Sequence, residues 1–431
     1  MKICMMTNTY LPHVGGVARS VSTFADEFIK LGHEVLVVAP EFDGPPLRPR
    51  QERIVERVAA VQNFNGSDFS VRLPMAAALS ERLDAFQADI VHAHHPFLLG
   101  DTALRIAAAK NVPMIFTHHT LYEDYTHYVP FDSPVMKEVA ISLSTGFANL
   151  CDGVIAPSES IARLLRKRGV EAPIAVVPTG VDVEGFASGD GMRARRKFGI
   201  PEKAFVVGHT GRLAPEKNLG YLTRAVARFL EAEPDVRFLV VGGGPSEKEI
   251  REICAGHGVE DRLILAGKLT DRALHDAFNA MNVFVFSSFS ETQGMVIAEA
   301  MAAGVPVVAL RASGVVEVVR NSENGFLLPA RSSVKAFADR LKELLGSPER
   351  RRKMSATARS TASDFSREKS AGLALEFYEK IRKATRRERL MSEFSVWGKA
   401  GRRLATEWDL LAQKTETITA AFKGEPEAPA R

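Results

Sequence analysis

The stretch that decides the fold is Lys2–Pro40, KICMMTNTYLPHVGGVARSVSTFADEFIKLGHEVLVVAP. Its ends, KICMMT and EVLVVAP, are short apolar runs, and the segment VARSVSTFADEFIKLGH between them has apolar residues at helical spacing. Two short apolar runs that flank an amphipathic helix predict a βαβ unit with parallel strands. The loop NTYLPHVGG is therefore expected to connect the first strand to the first helix.

The same alternation continues along the chain in two series. The first series contains ADIVHAHHP, VPMIFTHH, DGVIAPS and PIAVVPTGVD, and the second contains AFVVGHTG, VRFLVVGGGP, RLILAGKL, NVFVFSSF and VPVVAL. Each series predicts a doubly wound, Rossmann-like α/β domain, and ligands of such sheets bind at the carboxyl ends of the strands. We therefore predict an α/β protein with two such domains that face a cleft.

The domain boundaries follow from changes in this pattern. The segment Val181–Pro201 is rich in turn residues and charges, and from about Phe365 onward the pattern is helical without strands. We predict four segments: an N-terminal domain at 1–182, a C-terminal domain at 183–364, C-terminal helices with a basic extension at 365–421, and a disordered tail at 422–431.

Composition excludes several classes of protein. A chain of 431 residues is too long for a single core, and 45% hydrophobic with 25% charged residues is typical of a globular protein. A formal charge of +4 is small for a nucleic-acid-binding protein. Three widely spaced cysteines argue against a disulfide framework and indicate a reducing compartment. With no signal-peptide pattern and no apolar stretch of ~18 residues, we expect a cytoplasmic protein.

Candidate ligand-binding residues lie in the loops that follow predicted strands. Gly15 and Gly16 precede the first helix, where backbone amides favour an anion, although a tight turn also explains these glycines. Arg212 and Lys217 lie in GRLAPEKN, after the first strand of the second domain. An Arg–Lys pair is suited to a diphosphate, and a solvated loop with ordinary surface charges is the alternative.

The stretch SETQGMVIAEAMAAG contains two carboxylates eight positions apart, Glu291 and Glu299. It predicts a loop followed by a helix, with free amides at Gly294, Met295 and Val296 that can hold a phosphate or a sugar hydroxyl. We expect Glu291 to accept hydrogen bonds from sugar hydroxyls. Glu299 lies in an apolar helix and needs donors, which ribose hydroxyls would supply; a buried arginine or another loop is the alternative partner.

Histidines also follow the strands of the first domain: His92, His94, His95, His118 and His119. Histidine is a common metal ligand, so a metal site is conceivable here. However, the sequence has no H-E-x-x-H, no paired cysteines and no D-x-D motif to bridge a divalent ion to a diphosphate. We therefore expect no metal cofactor, with the diphosphate charge offset by Arg212, Lys217 and backbone amides.

Together these motifs resemble the retaining nucleotide-sugar glycosyltransferases of family 4, which have the GT-B fold. The motifs are HVGGV, FTHHT, PTGVD, GRLAPEKN and the E-x7-E of SETQGMVIAEAMAAG, in the family's order from residue 1 to about 330. The resemblance implies a hexosyltransferase whose second domain binds the donor and whose first domain binds the acceptor. It implies that Glu299 contacts the ribose, and that Glu291 with the amides of Gly294 and Met295 contacts the transferred sugar.

The resemblance also implies roles for residues of both domains. Arg212 and Lys217, helped by Gly16, would bind the diphosphate, and His119 would lie beside the reacting carbon. The family is thought to react on one face of the sugar, with the leaving phosphate helping to deprotonate the acceptor, so that catalysis is mostly positioning and charge stabilisation. A C-terminal helix at roughly Phe365–Lys383 would cross back to the N-terminal domain.

A narrower likeness concerns the acceptor. HTLYEDYTHYVP is similar to the acceptor-side loop of bacterial enzymes that glucosylate diacylglycerol, and the TQG after Glu291 is common among them. Tyr122, Tyr125 and Tyr128 have amphipathic rings suited to an interface, although they could instead pack a lid. We predict transfer of glucose from UDP-glucose to a membrane lipid such as diacylglycerol. The alternatives are GDP-mannose-dependent mannosyl transfer, a soluble or polysaccharide acceptor, and a non-catalytic nucleotide-sugar-binding module.

Two basic stretches bear on membrane contact. The first contains Arg163, Arg166, Lys167 and Arg168, and the second, KIRKATRRERLMSEFSVWGKAGRR, combines nine Lys/Arg with Phe394 and Trp397. Basic amphipathic helices bind anionic lipid surfaces, whereas a solvated charged face is the alternative. We expect a peripheral protein on the inner face of the cell membrane without a nucleic-acid partner. The sequence leaves the oligomeric state open.

Overall fold

The computed structural model describes residues 1–13, 15–42, 44, 46–61, 71–72, 77–124, 133–289 and 291–392. These residues form two compact units. The first consists of Met1–Thr179 together with the chain from Ser370 onward, and the second is Gly180–Lys369. Tyr125, Tyr128, Phe394, Trp397 and the tail at 422–431 lie outside the described residues.

The first unit contains a seven-stranded parallel sheet in the order β3-β2-β1-β6-β7-β8-β9. A pair of two-residue strands stands apart from this sheet and is antiparallel. The strands are β1 Lys2–Met6, β2 Glu34–Pro40, β3 Val55–Val58, β4 Ala60–Val61, β5 Val71–Arg72, β6 Ile90–Ala93, β7 Met114–Thr117, β8 Gly153–Ala156 and β9 Ile174–Val176.

Seven helices accompany these strands in the described part of the first unit. They are α1 Gly16–Lys30, α2 Pro49–Arg53, α3 Ala77–Phe86, α4 Leu99–Lys110, α5 Pro134–Asn149, α6 Glu159–Lys167 and the C-terminal helix α16 Arg367–Ser392, which starts in the second unit. Serines begin two of them: Ser133 accepts a hydrogen bond from the Met136 amide, and Ser158 accepts one from the Ile161 amide.

The two faces of this sheet have separate apolar cores because successive side chains of a strand point to opposite faces. Ile3 and Met5 of β1 belong to the core shared with α1 and α16, whereas Cys4 and Met6 belong to the core on the other face. The helix α16 approaches β8 closely at Gly153, where an added Cβ would lie 2.8 Å from the Phe377 ring. The C-terminal helix therefore completes one face of the first unit.

The second unit contains a six-stranded parallel sheet in the order β12-β11-β10-β13-β14-β15. Its strands are β10 Phe205–Thr210, β11 Val236–Val241, β12 Leu263–Leu265, β13 Val283–Phe286, β14 Val307–Leu310 and β15 Gly325–Leu328. Its helices are α7 Val183–Ala187, α8 Gly191–Lys197, α9 Leu219–Ala232, α10 Glu247–Gly256, α11 Asp271–Ala280, α12 Met295–Ala302, α13 Val315–Val318, α14 Val334–Gly346 and α15 Pro348–Ala362. The predicted pair of doubly wound parallel domains is confirmed.

Two further observations concern the cysteines and the helix lengths. All three cysteines are free, buried thiols. No helix in the described ranges combines the length and apolar character needed to cross a bilayer.

Candidate active site

The glycine loop of the first unit joins β1 to α1. Gly15 is the N-cap of α1 with extended backbone, and an added Cβ would lie 2.9 Å from the His13 imidazole, so a larger residue would have to displace that ring. An added Cβ at Gly16 would meet no heavy atom within 4 Å. The loop thus leaves room beside the first amides of α1, which lack intrahelical acceptors.

The histidines lie at the carboxyl ends of β6 and β7, and neighbouring histidines in the sequence differ in their surroundings. The His92 Nε2 lies 2.6 Å from the Thr117 hydroxyl oxygen, and its ring centroid lies 4.0 Å from that of His94. The His94 Nδ1 lies 2.9 Å from the His119 Nε2, and these two rings are stacked. Three of the predicted histidines, His92, His94 and His119, therefore form one continuous row.

The neighbouring His118 lies apart from this row. Its ring contacts the rings of Phe116 and Tyr122, and its two nitrogens are buried without a hydrogen-bond partner among the described residues. His95 instead accepts a hydrogen bond at Nδ1 from the Asn8 amide. Adjacent histidines of the same motif thus have different surroundings, and His119 is the one linked to other imidazoles.

Burial keeps these histidines neutral near pH 7. It lowers the pKa of His92 and of His95 to about 3 and that of His118 to about 4. Burial, reinforced by neighbouring histidines, also lowers the pKa of His94 and of His119 well below the usual value. The row can therefore donate and accept hydrogen bonds, but it supplies no positive charge to a diphosphate.

The predicted acceptor loop is described as far as Asp124. The Tyr122 ring packs edge-on against Phe97, and its hydroxyl is enclosed without a hydrogen-bond partner in the described part of the chain. Burial raises the pKa of this hydroxyl. These contacts correspond to the lid-packing alternative for Tyr122 rather than to an exposed interface ring.

The basic helix α6 exposes only part of its predicted charged set. Arg163, Arg166 and Lys167 are exposed, whereas Arg168 is mostly buried in an ion pair with Glu123 of the predicted acceptor loop. Arg168, predicted on the acceptor or membrane side, is therefore withdrawn from the exposed basic face, because its guanidinium pairs with a carboxylate 45 residues away in sequence. The apolar side of α6, including Leu165, packs into the core and does not face solvent.

In the second unit, Glu291 connects two of the predicted elements. Its Oε1 accepts a hydrogen bond of 3.1 Å from the Gly294 amide, and its Oε2 lies 3.4 Å from the Lys217 ammonium. The prediction of a free Gly294 amide is therefore wrong in this structure, because the nearby carboxylate takes the place expected for a ligand. The amides of Met295 and Val296 lie in the first turn of α12 and have no intrahelical acceptor.

Two glycines with positive φ shape this loop. Gly294 is the N-cap of α12 with φ +80°. Gly314, with φ +73°, follows β14 and comes so close that an added Cβ would lie 2.6 Å from the Gln293 amide nitrogen. Both positions favour glycine because other residues rarely adopt this backbone conformation. The start of α12 is thus held in place by its own sequence and by the loop after β14.

Arg212 precedes a short 3₁₀ turn, Pro215–Lys217, that ends at Lys217. The Arg212 guanidinium donates to Glu216 Oε1 at 2.6 Å. Burial alone would raise the pKa of Glu216, but the hydrogen bond from Arg212 and the positive charges outweigh it and lower the pKa. The hydroxyl of Ser287, after β13, donates to the carbonyls of Lys217 and Asn218 and anchors the turn. Neither Glu216 nor Ser287 was identified from sequence.

The glycine turn after β11 supports the same loop. An added Cβ at Gly242 would lie 1.9 Å from the Gly211 carbonyl oxygen, and one at Gly244 would lie 2.4 Å from the Leu213 carbonyl oxygen. Both glycines also have positive φ. The glycines of the run VGGGP therefore allow this turn to pack closely against the loop that contains Gly211 and Leu213.

Glu299 is 3% exposed within α12. Burial lowers the pKa of His275, and the charges of Asp182 and Glu299 oppose that lowering. The carboxylate of Glu299 is thus close enough to α11 to influence a histidine there. Across the described residues, no three His, Cys, Asp or Glu side chains are grouped so that they could hold a metal ion.

Family models match both units. The model described as Glycosyltransferase Family 4 matches residues 14–184, and the model described as Glycosyl transferases group 1 matches residues 192–361. The chain is 31% identical to an alpha-monoglucosyldiacylglycerol synthase of Streptococcus pneumoniae over 72% of this chain and 71% of that protein. The chain belongs to the family 4 glycosyltransferases. The predicted family and the predicted hexosyltransferase activity are confirmed.

This glycosyltransferase has further relatives, of which one has the same name and another a different one. It is 26% identical to an alpha-monoglucosyldiacylglycerol synthase of Acholeplasma laidlawii, over 72% of this chain and 80% of that protein. It is 29% identical to a GDP-mannose-dependent alpha-mannosyltransferase of Mycobacterium tuberculosis, over 76% of this chain and 84% of that protein. The relatives thus agree on glycosyl transfer, but their names give different sugars, glucose and mannose.

Solved structures support the fold of this glycosyltransferase. The crystal structure of Anabaena Alr3699/HepE in complex with UDP matches with a TM-score of 0.69 and 21% identity, over 88% of this chain and all of that chain (100%). The sucrose-phosphate synthase of Thermosynechococcus elongatus matches with a TM-score of 0.72 and 21% identity, over 89% of this chain and 99% of that chain. The predicted GT-B fold is confirmed.

Proposed function

We propose that this glycosyltransferase transfers glucose from UDP-glucose to a membrane lipid such as diacylglycerol, with retention at the sugar carbon and without a metal ion. One observation carries the choice of donor and acceptor: two alpha-monoglucosyldiacylglycerol synthases are similar to it over 72% of the chain. The loop that begins at His119 and contains Glu123 adds to this choice, since it has the pattern of the acceptor-side loop of such enzymes.

The second unit is the proposed donor site. Lys217, Glu291 and the first amides of α12 lie together in one group of loops, and Arg212 precedes the turn that contains Lys217. A diphosphate would compete for Lys217 and Arg212 against the carboxylates that now pair with them. Release of Lys217 would leave the Glu291 carboxylate to accept hydrogen bonds from sugar hydroxyls. Glu299 is the proposed ribose contact.

The proposed chemistry depends on charge stabilisation by fixed groups. Arg212, Lys217 and the amides of Met295 and Val296 would offset the negative charge that develops on the leaving diphosphate. A leaving phosphate oxygen would take the acceptor proton, so no carboxylate nucleophile is required. His119, being neutral, would orient the reacting sugar by hydrogen bonding and would not repel the developing positive charge on the sugar carbon.

The first unit is the proposed acceptor and membrane side. Arg163, Arg166 and Lys167 project from α6 into solvent, and each basic residue near an anionic surface contributes about 1 kcal/mol to binding. We propose that the protein is peripheral on the inner face of the cell membrane, with α6 facing anionic lipid headgroups. A lipid acceptor would then reach the enzyme without leaving the bilayer.

The test is a matrix of nucleotide sugars and acceptors. Purified protein is incubated with UDP-glucose or GDP-mannose and with diacylglycerol vesicles or soluble sugars, and the products are identified by mass spectrometry. We expect glucosyldiacylglycerol from UDP-glucose, with the same rate in excess EDTA. Loss of activity in EDTA that Mg²⁺ restores would contradict the metal-free chemistry. Transfer only to soluble acceptors would contradict the lipid assignment.

A second candidate is mannosyl transfer from GDP-mannose. It is favoured by the 29% identity to a GDP-mannose-dependent alpha-mannosyltransferase over 84% of that protein. The same matrix separates the two candidates because each donor is supplied in a separate reaction. Glucosyl and mannosyl products have the same mass, so the reaction that yields product identifies the donor. Mannosyl product from GDP-mannose, with no product from UDP-glucose, would replace the first candidate.

A further inference from the structure

We propose that Tyr378, in the C-terminal helix α16, is a positioning residue for His119 and acts through His92 and His94. This inference rests on the proposed function, since that function places His119 beside the reacting sugar carbon. All four residues belong to the first unit, and they form a single row from the helix to the end of the sheet.

The Tyr378 hydroxyl has a fixed position. The side chain is fully buried, and its ring packs edge-on against Phe28 with centroids 5.6 Å apart. The same helix is anchored nearby by Phe377 and Ile381, which are buried in the core shared with α1. The hydroxyl oxygen lies 2.5 Å from His92 Nδ1, although 286 residues separate the two in sequence.

His92 is thereby held at both ring nitrogens. Its Nε2 lies 2.6 Å from the Thr117 hydroxyl oxygen, so Tyr378 and Thr117 occupy opposite ends of the same imidazole. A neutral imidazole carries one N–H, and its two partners together select the tautomer and the plane of the ring. Loss of either partner would leave a buried ring nitrogen unsatisfied, which is costly.

The position of His92 determines that of His94 and, through it, that of His119. The His92 and His94 rings have centroids 4.0 Å apart, and the His94 Nδ1 is hydrogen-bonded to the His119 Nε2 at 2.9 Å. The His94 Nε2 has no hydrogen-bond partner among the residues described, so its ring is oriented by these two neighbours. Because protein interiors are close-packed, a displaced His92 ring would displace His94 and the hydrogen bond to His119.

The chain offers a matched set of variants. Tyr378→Phe removes only the hydroxyl from His92 Nδ1, and Thr117→Val removes the group at His92 Nε2 with nearly the same shape. Tyr10→Phe is the control: Tyr10 is equally buried in the core shared with α1, but its hydroxyl has no hydrogen-bond partner within the described ranges. Tyr10→Phe therefore removes a buried hydroxyl from the same core without unpairing a histidine, and it controls for the loss of a core hydroxyl as such.

The experiment compares these variants in the full-length protein by two measurements. With ¹⁵N-labelled histidine, Tyr378→Phe and Thr117→Val should shift the imidazole nitrogen resonances of His92, His94 and His119, and Tyr10→Phe should leave them unchanged. In the transfer assay, kcat should fall about tenfold for both test variants with KM for the nucleotide sugar changed less than about twofold, because misplacing a reaction-side group affects the chemical step more than donor binding.

The outcomes distinguish this inference from the proposed function. Wild-type transfer activity together with unchanged His119 resonances, or with kcat of Tyr378→Phe equal to that of Tyr10→Phe, would overturn the inference alone. Absence of transfer by the wild-type protein with every nucleotide sugar would overturn the proposed function and the inference with it. Should Tyr378→Phe fail to fold, Thr117→Val provides the same measurements from the opposite end of His92.

Discussion

Lys217 and Glu291 pair across 74 residues of sequence, and both side chains are less than 20% exposed (19% and 16%). A partly buried ammonium that lies 3.4 Å from a carboxylate can exchange that carboxylate for a ligand phosphate. At the scale of residues, the proposed donor site of the second unit thus contains a partly desolvated ion pair held by short loops. Its response to substitution should separate ligand binding from folding.

We predict that Lys217→Met weakens UDP binding by about tenfold to hundredfold, because a charge-assisted hydrogen bond contributes about 1.5–3 kcal/mol. Isothermal titration calorimetry with UDP measures the effect. Lys203→Met is the matched control, since Lys203 is exposed on the same unit. An unchanged dissociation constant in Lys217→Met would contradict the diphosphate role.

Glu299→Gln keeps the size of a side chain that is 3% exposed and removes its charge. We predict an approximately tenfold weaker affinity for the nucleotide, since a carboxylate is a stronger acceptor for ribose hydroxyls than an amide. The exposed Glu323→Gln serves as the control. Reduced thermal stability with unchanged nucleotide affinity would instead assign Glu299 a purely structural role.

At the scale of elements, the helix α16 is part of the core of the first unit. Phe377 is 7% exposed and packs with α1 and β8, whereas Leu373 on the same helix is 43% exposed. We predict that Phe377→Ala lowers the free energy of unfolding by about 3–5 kcal/mol. Leu373→Ala should change it by less than about 0.5 kcal/mol. Urea unfolding measures both, and equal effects would contradict the role given to α16.

The buried histidines at the ends of β6 and β7 make the free energy of unfolding depend on pH. His92, His95 and His118 stay neutral in the folded state because burial lowers their pKa values to about 3, 3 and 4. In the unfolded chain the pKa is about 6.5, so below that pH the unfolded state binds more protons. We predict that the free energy of unfolding falls between about pH 6.5 and 4, by about 1.4 kcal/mol per pH unit for each histidine.

Urea unfolding at pH 7.5 and pH 5.5 (about one pH unit to either side of the unfolded pKa) measures this dependence. His118→Phe should reduce it, because the variant lacks one titrating group and a phenyl ring can pack against Phe116 and Tyr122, which the His118 ring contacts. His257→Gln is the control, since that side chain is 32% exposed. A wild-type slope in His118→Phe would contradict the prediction.

Much of this architecture could be predicted from the sequence, since alternating apolar runs and amphipathic helices report strand and helix order directly. The glycine turns and the E-x7-E stretch likewise indicated the loops of the site. Contacts between distant segments could not be predicted. Arg168 pairs with Glu123, and Tyr378 is hydrogen-bonded to His92, only because the folded sheet brings these segments together. The hydrogen bond from the Gly294 amide to the Glu291 carboxylate was not predicted, because the geometry of the loop and not the residue type determines this contact.

At the scale of the whole molecule, a net charge of +4 is too small to bind membranes by itself, so the location of the charges matters. We predict that replacing Arg163, Arg166 and Lys167 by Gln weakens binding to anionic vesicles roughly tenfold or more. Replacing Lys248, Arg352 and Lys353, which are exposed in the second unit, gives the same change in charge as a control. Equal losses in a vesicle sedimentation assay would contradict a specific role for α6.

The return of the chain to the first unit also has a consequence for biosynthesis. The face of the first sheet that carries Ile3 and Met5 is covered by α1 and by α16, yet α16 leaves the ribosome only after all of Gly180–Lys369 has been made. The second unit is contiguous and can fold as soon as it emerges. The first domain to be translated is therefore the last to be completed, and its uncovered apolar face is a surface on which a chaperone would act during synthesis.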